Sequence, residues 1–165
     1  MPLLKIRFCG DPVLRRRAKP VKKVTREVRQ TLAQMLETMR DARGVGLAAP
    51  QVGVGLRMFV AEVPDEKPMI FIDPEIQFMS AETATYSEGC LSIPGLEGDV
   101  IRPERVVVSA TDEKGQRFQL EASGLLSRCI QHEIDHLDGV LFPDRMGEAG
   151  KELIRQFLGS RRKAS

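Results

Sequence analysis

Both histidines of this 165-residue chain fall in one nine-residue stretch, Gln131-His132-Glu133-Ile134-Asp135-His136-Leu137-Asp138-Gly139. They are four positions apart, which on an α-helix puts the two imidazoles about 40° apart on one face, one turn from each other. Two imidazoles so placed can grip a single metal ion, and the glutamate beside the first offers a general base. A chain with this pattern has to hold its helix against a third ligand supplied from elsewhere. The competing reading is a helix surface that carries two histidines and a glutamate by chance.

The flanking residues favour the helix. Ser123-Gly124 opens a run in which Leu125, Leu126, Cys129, Ile130, Ile134 and Leu137 supply a broad apolar surface. Ser123 is an N-cap candidate, and Gly139 followed by Pro143 terminates the run. The motif therefore lies in the second half of a largely buried helix.

The other elements follow from periodicity. Val24, Val28, Leu32, Met35, Leu36 and Met39 predict an amphipathic helix from Thr25 to about Arg43, with Gly44 as its C-cap. Residues 55–122 read as β-rich, with runs at 57–61, 69–72, 75–79 and 105–109. Pro64-Asp65, Asp73-Pro74, Pro94-Gly95 and Lys114-Gly115 punctuate them, and Asp112-Glu113-Lys114-Gly115 predicts a hairpin. A second helix is expected between Met146 and Ser165, packed on the body with a basic end. Between the first helix and the strands lies Gly44-Val-Gly-Leu-Ala-Ala-Pro-Gln51, which lacks the lysine and hydroxyl residue of a phosphate loop. It reads equally as a place where a ligand approaches closely and as a tight loop with Gln51 capping backbone groups.

Length and composition bound the rest. The length suits one domain spanning 1–165, and 42% hydrophobic with 29% charged residues is an ordinary folded balance. No apolar run approaches the roughly 20 residues of a membrane span. The start has no apolar core with a small-residue cleavage site, so the expected location is the cytoplasm. Cys9, Cys90 and Cys129 are too few for a disulfide framework and are free thiols or metal ligands. A net charge of +2 is too mild to argue for binding DNA or other nucleic acid. The basic cluster from Arg15 to Lys23 reads as a solvated face.

Catalytic metal sites commonly use three protein ligands. In the extended protease pattern that adds a third histidine, Gly139 falls at the glycine but the ligand position is Phe142, which cannot ligate. A downstream glutamate would be Glu148 or Glu152, in a charged, surface-like tail. Cys90 is the better candidate, because Glu88-Gly-Cys-Leu-Ser92 presents it from a strand end or loop, and a thiolate with two imidazoles suits a divalent first-row metal. Cys129 reads as a packing thiol, and Cys9 has no motif around it.

Three stretches in order, Gly44–Gln51, Glu88–Ser92 and Gln131–His136, together with Gly10-Asp-Pro-Val-Leu14, resemble the motifs of the peptide deformylases over nearly the whole chain. The resemblance implies an α+β fold, with antiparallel β-sheets packed around a central helix carrying the motif and a helix at each terminus. It implies Cys90, His132 and His136 as metal ligands, Fe2+ as the native ion with Zn2+, Ni2+ or Co2+ able to substitute, and Glu133 as general base. The substrate it implies is the N-formyl-methionyl end of a nascent polypeptide, cleaved to formate and a free amine. Gln51 and the Leu91 backbone N–H would stabilise the oxyanion. Gly44, Val45, Gly46 and Gly89 would line the substrate, with Gly44 and Gly46 forming a floor tight enough to favour a formyl group. Arg128 and Tyr86 fall near where the family's side-chain pocket would lie. Glu88 and Arg102 are expected to pair and brace the Cys90 segment, the alternative being separate surface roles. The basic C-terminal end is a candidate for weak docking on ribosomal RNA. The alternatives are a small zinc protease, and a structural or ribosome-associated metal module that would have no need of Glu133.

Overall fold

The computed structural model describes residues 1–164, without the side chains of Lys163 and Ala164, so the Lys163 charge and Ser165 expected in the tail lie outside the described residues. The first helix, α1, runs Arg26–Asp41, and the Thr25 hydroxyl caps it by accepting from the Val28 N–H at 3.2 Å. It ends sooner than expected. Arg43, not Gly44, takes the left-handed conformation, at φ 61°. The Arg43 N–H reaches the Arg40 carbonyl at 3.0 Å and the Gly44 N–H reaches the Met39 carbonyl at 2.9 Å, which closes the last turn. Gly44 is small for another reason: a Cβ there would stand 2.7 Å from Leu91 Cδ1.

Five strands form an antiparallel sheet: β1 Gly46–Ala48, β2 Met58–Ala61, β3 Met69–Met79, β6 Arg105–Thr111 and β7 Arg117–Ser123, in the order β1-β2-β3-β6-β7. The expected hairpin joins β6 to β7. The two runs expected at 69–72 and 75–79 are one strand, bulged where Asp73 stands at φ 48° and Pro74 has no N–H to give. The kink aims the Asp73 carboxylate at the Val21 and Lys22 N–H groups (2.8 and 3.0 Å), tying down the basic lead.

A second, two-stranded sheet pairs β4 Thr83–Cys90 with β5 Ile93–Pro103. Its turn is Leu91-Ser92, so Pro94-Gly95 lies inside β5 and not at a turn. These strands escape periodicity because most of their residues are polar or exposed.

Helix α2, Gly124–Leu137, is buried without a break from Ser127 to Leu137. Ser123 occupies the N-cap position, but its hydroxyl makes no capping bond. Gly139 ends the helix as expected, at φ 75°, with the Val140 N–H returning to the Asp135 carbonyl at 2.9 Å. One face of α2 meets the large sheet in a core of Phe59, Phe71, Val106, Val108, Ile130 and Ile134, in which Phe59 and Phe71 stack at 4.6 Å. Leu32, Met35 and Met39 of α1 cover Leu47, Met58 and Val60. The last helix, α3 Glu148–Ala164, packs Phe157 with Leu14, Ile93, Val100 and Phe142 beside the small sheet. The architecture is therefore the expected α+β arrangement of antiparallel sheets around the motif-bearing helix.

The left-handed conformation costs an L-residue about 1–2 kcal/mol that glycine avoids, partly offset by glycine's freer unfolded chain. Arg43→Gly is expected to stabilise the protein by about 0.5–1 kcal/mol, read as a higher urea midpoint at unchanged slope.

Candidate active site

Helix α2 presents His132 and His136 with ring centroids 5.0 Å apart. Cys90 arrives from the end of β4, where a register shift between Gly89 and Cys90 turns its side chain toward the helix. Its Sγ lies 3.4 Å from His136 Nε2, and the three possible donor atoms are all within 4.8 Å of one another. In a tetrahedral site with ordinary bond lengths, sulfur and nitrogen ligands stand roughly 3.5 Å apart. The donor set and its spacing thus fit a divalent first-row ion. The rejected ligands are occupied elsewhere. Phe142 is buried and stacks on His132 with centroids 6.2 Å apart. Glu148 and Glu152 are exposed on α3 and pair with Lys151 and Arg155. Cys129 is buried, its Sγ 3.5 Å from the Val45 carbonyl.

Behind the ligands lies a buried carboxylate that joins the small sheet to the helix. Glu88 Oε1 lies 2.9 Å from His132 Nδ1. An ionised Glu88 accepts from that nitrogen, which leaves His132 Nε2 as the lone-pair donor. Arg102 donates to Glu88 through Nε (2.6 Å) and Nη2 (3.0 Å), as expected for the brace. Burial alone would raise the Glu88 pKa. The hydrogen bonds to His132 and Arg102 outweigh it and hold the carboxyl far below its usual range. Burial and the neighbouring His132 charge push His136 well below the ordinary histidine value, toward the neutral form a metal needs. For His132 burial acts in the same sense, but hydrogen bonding to Cys90 and Glu88 raises its pKa.

Three residues of this network went unpredicted as parts of it. Arg128 donates to Glu88 Oε2 (2.5 Å), Val100 O (2.9 Å) and Ala84 O (2.8 Å), so it ties α2 to both strands of the small sheet. Its guanidinium lies 4.8 Å from the ring centre of Tyr86, which is half-exposed. Asp135 accepts from Arg102 Nη1 at 2.8 Å and from two Arg145 nitrogens at 2.7 Å. The four-residue spacing of Arg128 and His132 on one helix face was the available signal, since both reach the same carboxylate.

Glu133 is 4% exposed, and its Oε1 has no hydrogen-bond partner among the described residues. Burial pushes its carboxyl up to about 7, against the opposing pull of His132. A Cβ on Gly46 would stand 2.6 Å from Glu133 Oε2, so glycine leaves the room that the base occupies. Gln51 follows β1 in a 3₁₀ turn, Ala49–Val52. Its Oε1 accepts the Ala48 N–H at 2.9 Å, and its Nε2 lies 3.6 Å from Cys90 Sγ. The tight-loop reading of the small-residue stretch therefore holds, since the amide caps backbone, and the same amide borders a cavity.

That cavity is about 660 Å³. Gly44, Val45, Gly46, Gly89 and Leu91 line it together with Gln51, Cys90, His132 and Glu133, while His136 lies outside the lining. Leu96 and Leu125 add apolar wall that was not singled out from sequence. The arrangement can seat a small apolar side chain beside a metal, a base and an amide donor.

The sequence profile of a family described as Polypeptide deformylase matches residues 3–152. A peptide deformylase of Picosynechococcus sp. is 50% identical over 149 residues, covering 88% of this chain and 80% of that protein. One from Cellvibrio japonicus is 46% identical over 166 residues, covering 99% and 98%. Among solved structures, the peptide deformylase of Ehrlichia chaffeensis superposes with a TM-score of 0.94 at 34% identity, covering 99% of each chain. That of Synechococcus elongatus in complex with actinonin gives 0.89 at 45% identity, covering 98% of this chain and 89% of that one.

Glu88→Gln is expected to weaken metal affinity about 10–100-fold, measured by chelator competition, because the histidine loses the partner that fixes its ring. The depressed Glu88 pKa also stabilises the fold, fully so above the ordinary glutamate range near about 4.3. In urea titrations the wild type's advantage over Glu88→Gln should shrink as pH falls below that range.

Proposed function

The chain belongs to the polypeptide deformylase family, and on that premise we propose how its own residues carry the reaction. It is a metal-dependent hydrolase that removes the N-formyl group from the N-terminal formyl-methionine of newly synthesised polypeptides and releases formate. Cys90, His132 and His136 would hold the ion, in a catalytic unit spanning residues 1–165. When bound, a divalent ion there lowers the pKa of water and polarises a carbonyl oxygen.

The methionine side chain enters the cavity between Val45, Leu125 and Cys129, and the formyl group reaches the floor beside Gly44 and Gly46. Glu133 takes the proton of the attacking water at its unpartnered Oε1 and later delivers it to the departing amine nitrogen. Burial supports this, because a carboxyl raised toward neutrality both accepts and returns a proton. Gln51 Nε2 and the Leu91 backbone N–H donate to the oxygen on which negative charge develops. Gly89, in the cavity lining beside Cys90, would border the chain that follows the methionine. Glu88, Arg102 and Arg128 hold His132 and the Cys90 strand in register while this happens.

We assign Fe2+ as the native ion, with Zn2+, Ni2+ or Co2+ able to replace it; the donor set of one thiolate and two imidazoles supports a soft to borderline ion. The cytoplasm, where nascent chains emerge, is the compartment we assign. Among the described residues no helix is long and apolar enough to cross a membrane. Arg155, Arg161 and Arg162 on α3 support weak docking on ribosomal RNA. The Arg161 guanidinium also lies over the Phe8 ring at 4.5 Å.

The observation that carries this reading is the convergence of three donor atoms on one point beside a buried carboxylate whose Oε1 has no partner among the described residues. Glu133→Gln is expected to retain metal and lose formate release from a formyl-methionyl peptide by about 100-fold or more, assayed anaerobically with metal content measured alongside. Full activity in that variant would refute the role of Glu133. Cys90→Ser with unchanged metal content and rate would remove the ligand assignment.

A further inference from the structure

Gln51 is held from two sides. The Ala48 N–H can only donate, so its 2.9 Å bond to Gln51 decides which end of the amide is oxygen. The nitrogen end donates to Ser92 Oγ at 3.0 Å and lies 3.6 Å from Cys90 Sγ. An amide nitrogen carries two hydrogens. The Ser92 hydroxyl accepts one, and the other is directed at Cys90 Sγ, 3.6 Å away in the cavity lining. Gln51 is 1% exposed and Ser92 0%, so bulk water does not compete for either bond. Ser92 is itself anchored: its N–H donates to Cys90 Sγ at 3.4 Å, and its carbonyl accepts the Cys9 N–H at 2.8 Å. One residue thus touches Cys90 through its backbone and Gln51 through its side chain.

We propose that Ser92 is a positioning residue for the deformylation reaction, its hydroxyl holding one Gln51 amide hydrogen so that the other is presented where charge develops on the formyl oxygen. This rests on the reading of Gln51 as an oxyanion donor. Such donors act because they are already aimed before the charge appears. The last torsion of a glutamine is broad, with no staggered well to hold the amide plane. Without the hydroxyl, the Ala48 bond keeps the oxygen end in place while the nitrogen end loses its aim. The apolar walls that seat the methionine are untouched, so the loss falls on kcat and not on KM.

A double-mutant cycle tests this, with wild type, Ser92→Ala, Gln51→Ala and the double variant compared in the same metal form. Each is measured for kcat, KM, metal affinity by chelator competition, and the sulfur-to-metal charge-transfer band of the Co2+-loaded protein. Gln51→Ala is expected to lower kcat about 100-fold, and Ser92→Ala about 10-fold with KM within about twofold. The double variant should match Gln51→Ala alone, in kcat and in band position, while each single variant shifts the band and keeps its metal affinity. A Ser92→Ala enzyme with wild-type kcat or an unmoved band overturns the proposal. So does a loss that multiplies with that of Gln51→Ala, or a parallel loss of metal, either of which marks a structural role. Ser92→Gly carries the same cycle if the alanine protein does not accumulate. Full kcat in Gln51→Ala would instead strike the oxyanion reading itself, which separates the two failures.

Discussion

The Glu88 carboxylate is the interaction on which the rest of the site depends. It sits in the interior on β4 with Arg102 of β5 and with His132 and Arg128 of α2 around it, so it ties both strands of the small sheet to the helix. Buried ion pairs are poor evidence for net stability, because removing the charges from water costs about what their attraction returns. Breaking one is another matter, since an unpaired buried charge costs about 3–5 kcal/mol. The network therefore acts as a register lock. The two-stranded sheet that delivers Cys90 seats against α2 in one way, because any other leaves a carboxylate or a guanidinium stranded.

The lock also orders the functional groups. Asp135 extends it from Arg102 to Arg145, so the helix turn between the two histidines is pinned on its far side as well. His132 is oriented by a carboxylate, whereas His136 Nδ1 has no partner among the described side chains. The two imidazoles are thus held differently. One is aimed by Glu88, the other by burial and by its neighbours on the helix.

Close approach is the second constraint. Gly44 admits the Leu91 side chain and Gly46 admits the Glu133 carboxylate, each to a distance that a methyl group would forbid. The small-residue stretch is therefore a strand edge pressed against the catalytic helix, and its glycines are spaces for other residues more than hinges. Next to Gly44, which clears Leu91, Arg43 takes the left-handed position that closes α1.

Much of the site was legible in the residues. Two histidines one turn apart, a glutamate between them and a turn-bounded cysteine state their chemistry through type and spacing, and a buried helix was readable from its apolar run. The bulged strand β3 was not, because Asp73-Pro74 has the composition of a turn and only pairing with β6 keeps the strand continuous. Nor were β4 and β5, whose polar faces carry no alternation; they are strands because they pair with each other and because Glu88 and Arg102 face inward across the pair. The sequence by itself determined which groups could bind a metal, supply a base and end each helix, since those depend on residue type and local geometry. The tertiary structure decided which charges meet, that Arg128 joins Glu88, and where the Gln51 amide points. Those outcomes depend on which distant segments exclude water from one another, and no local pattern encodes that.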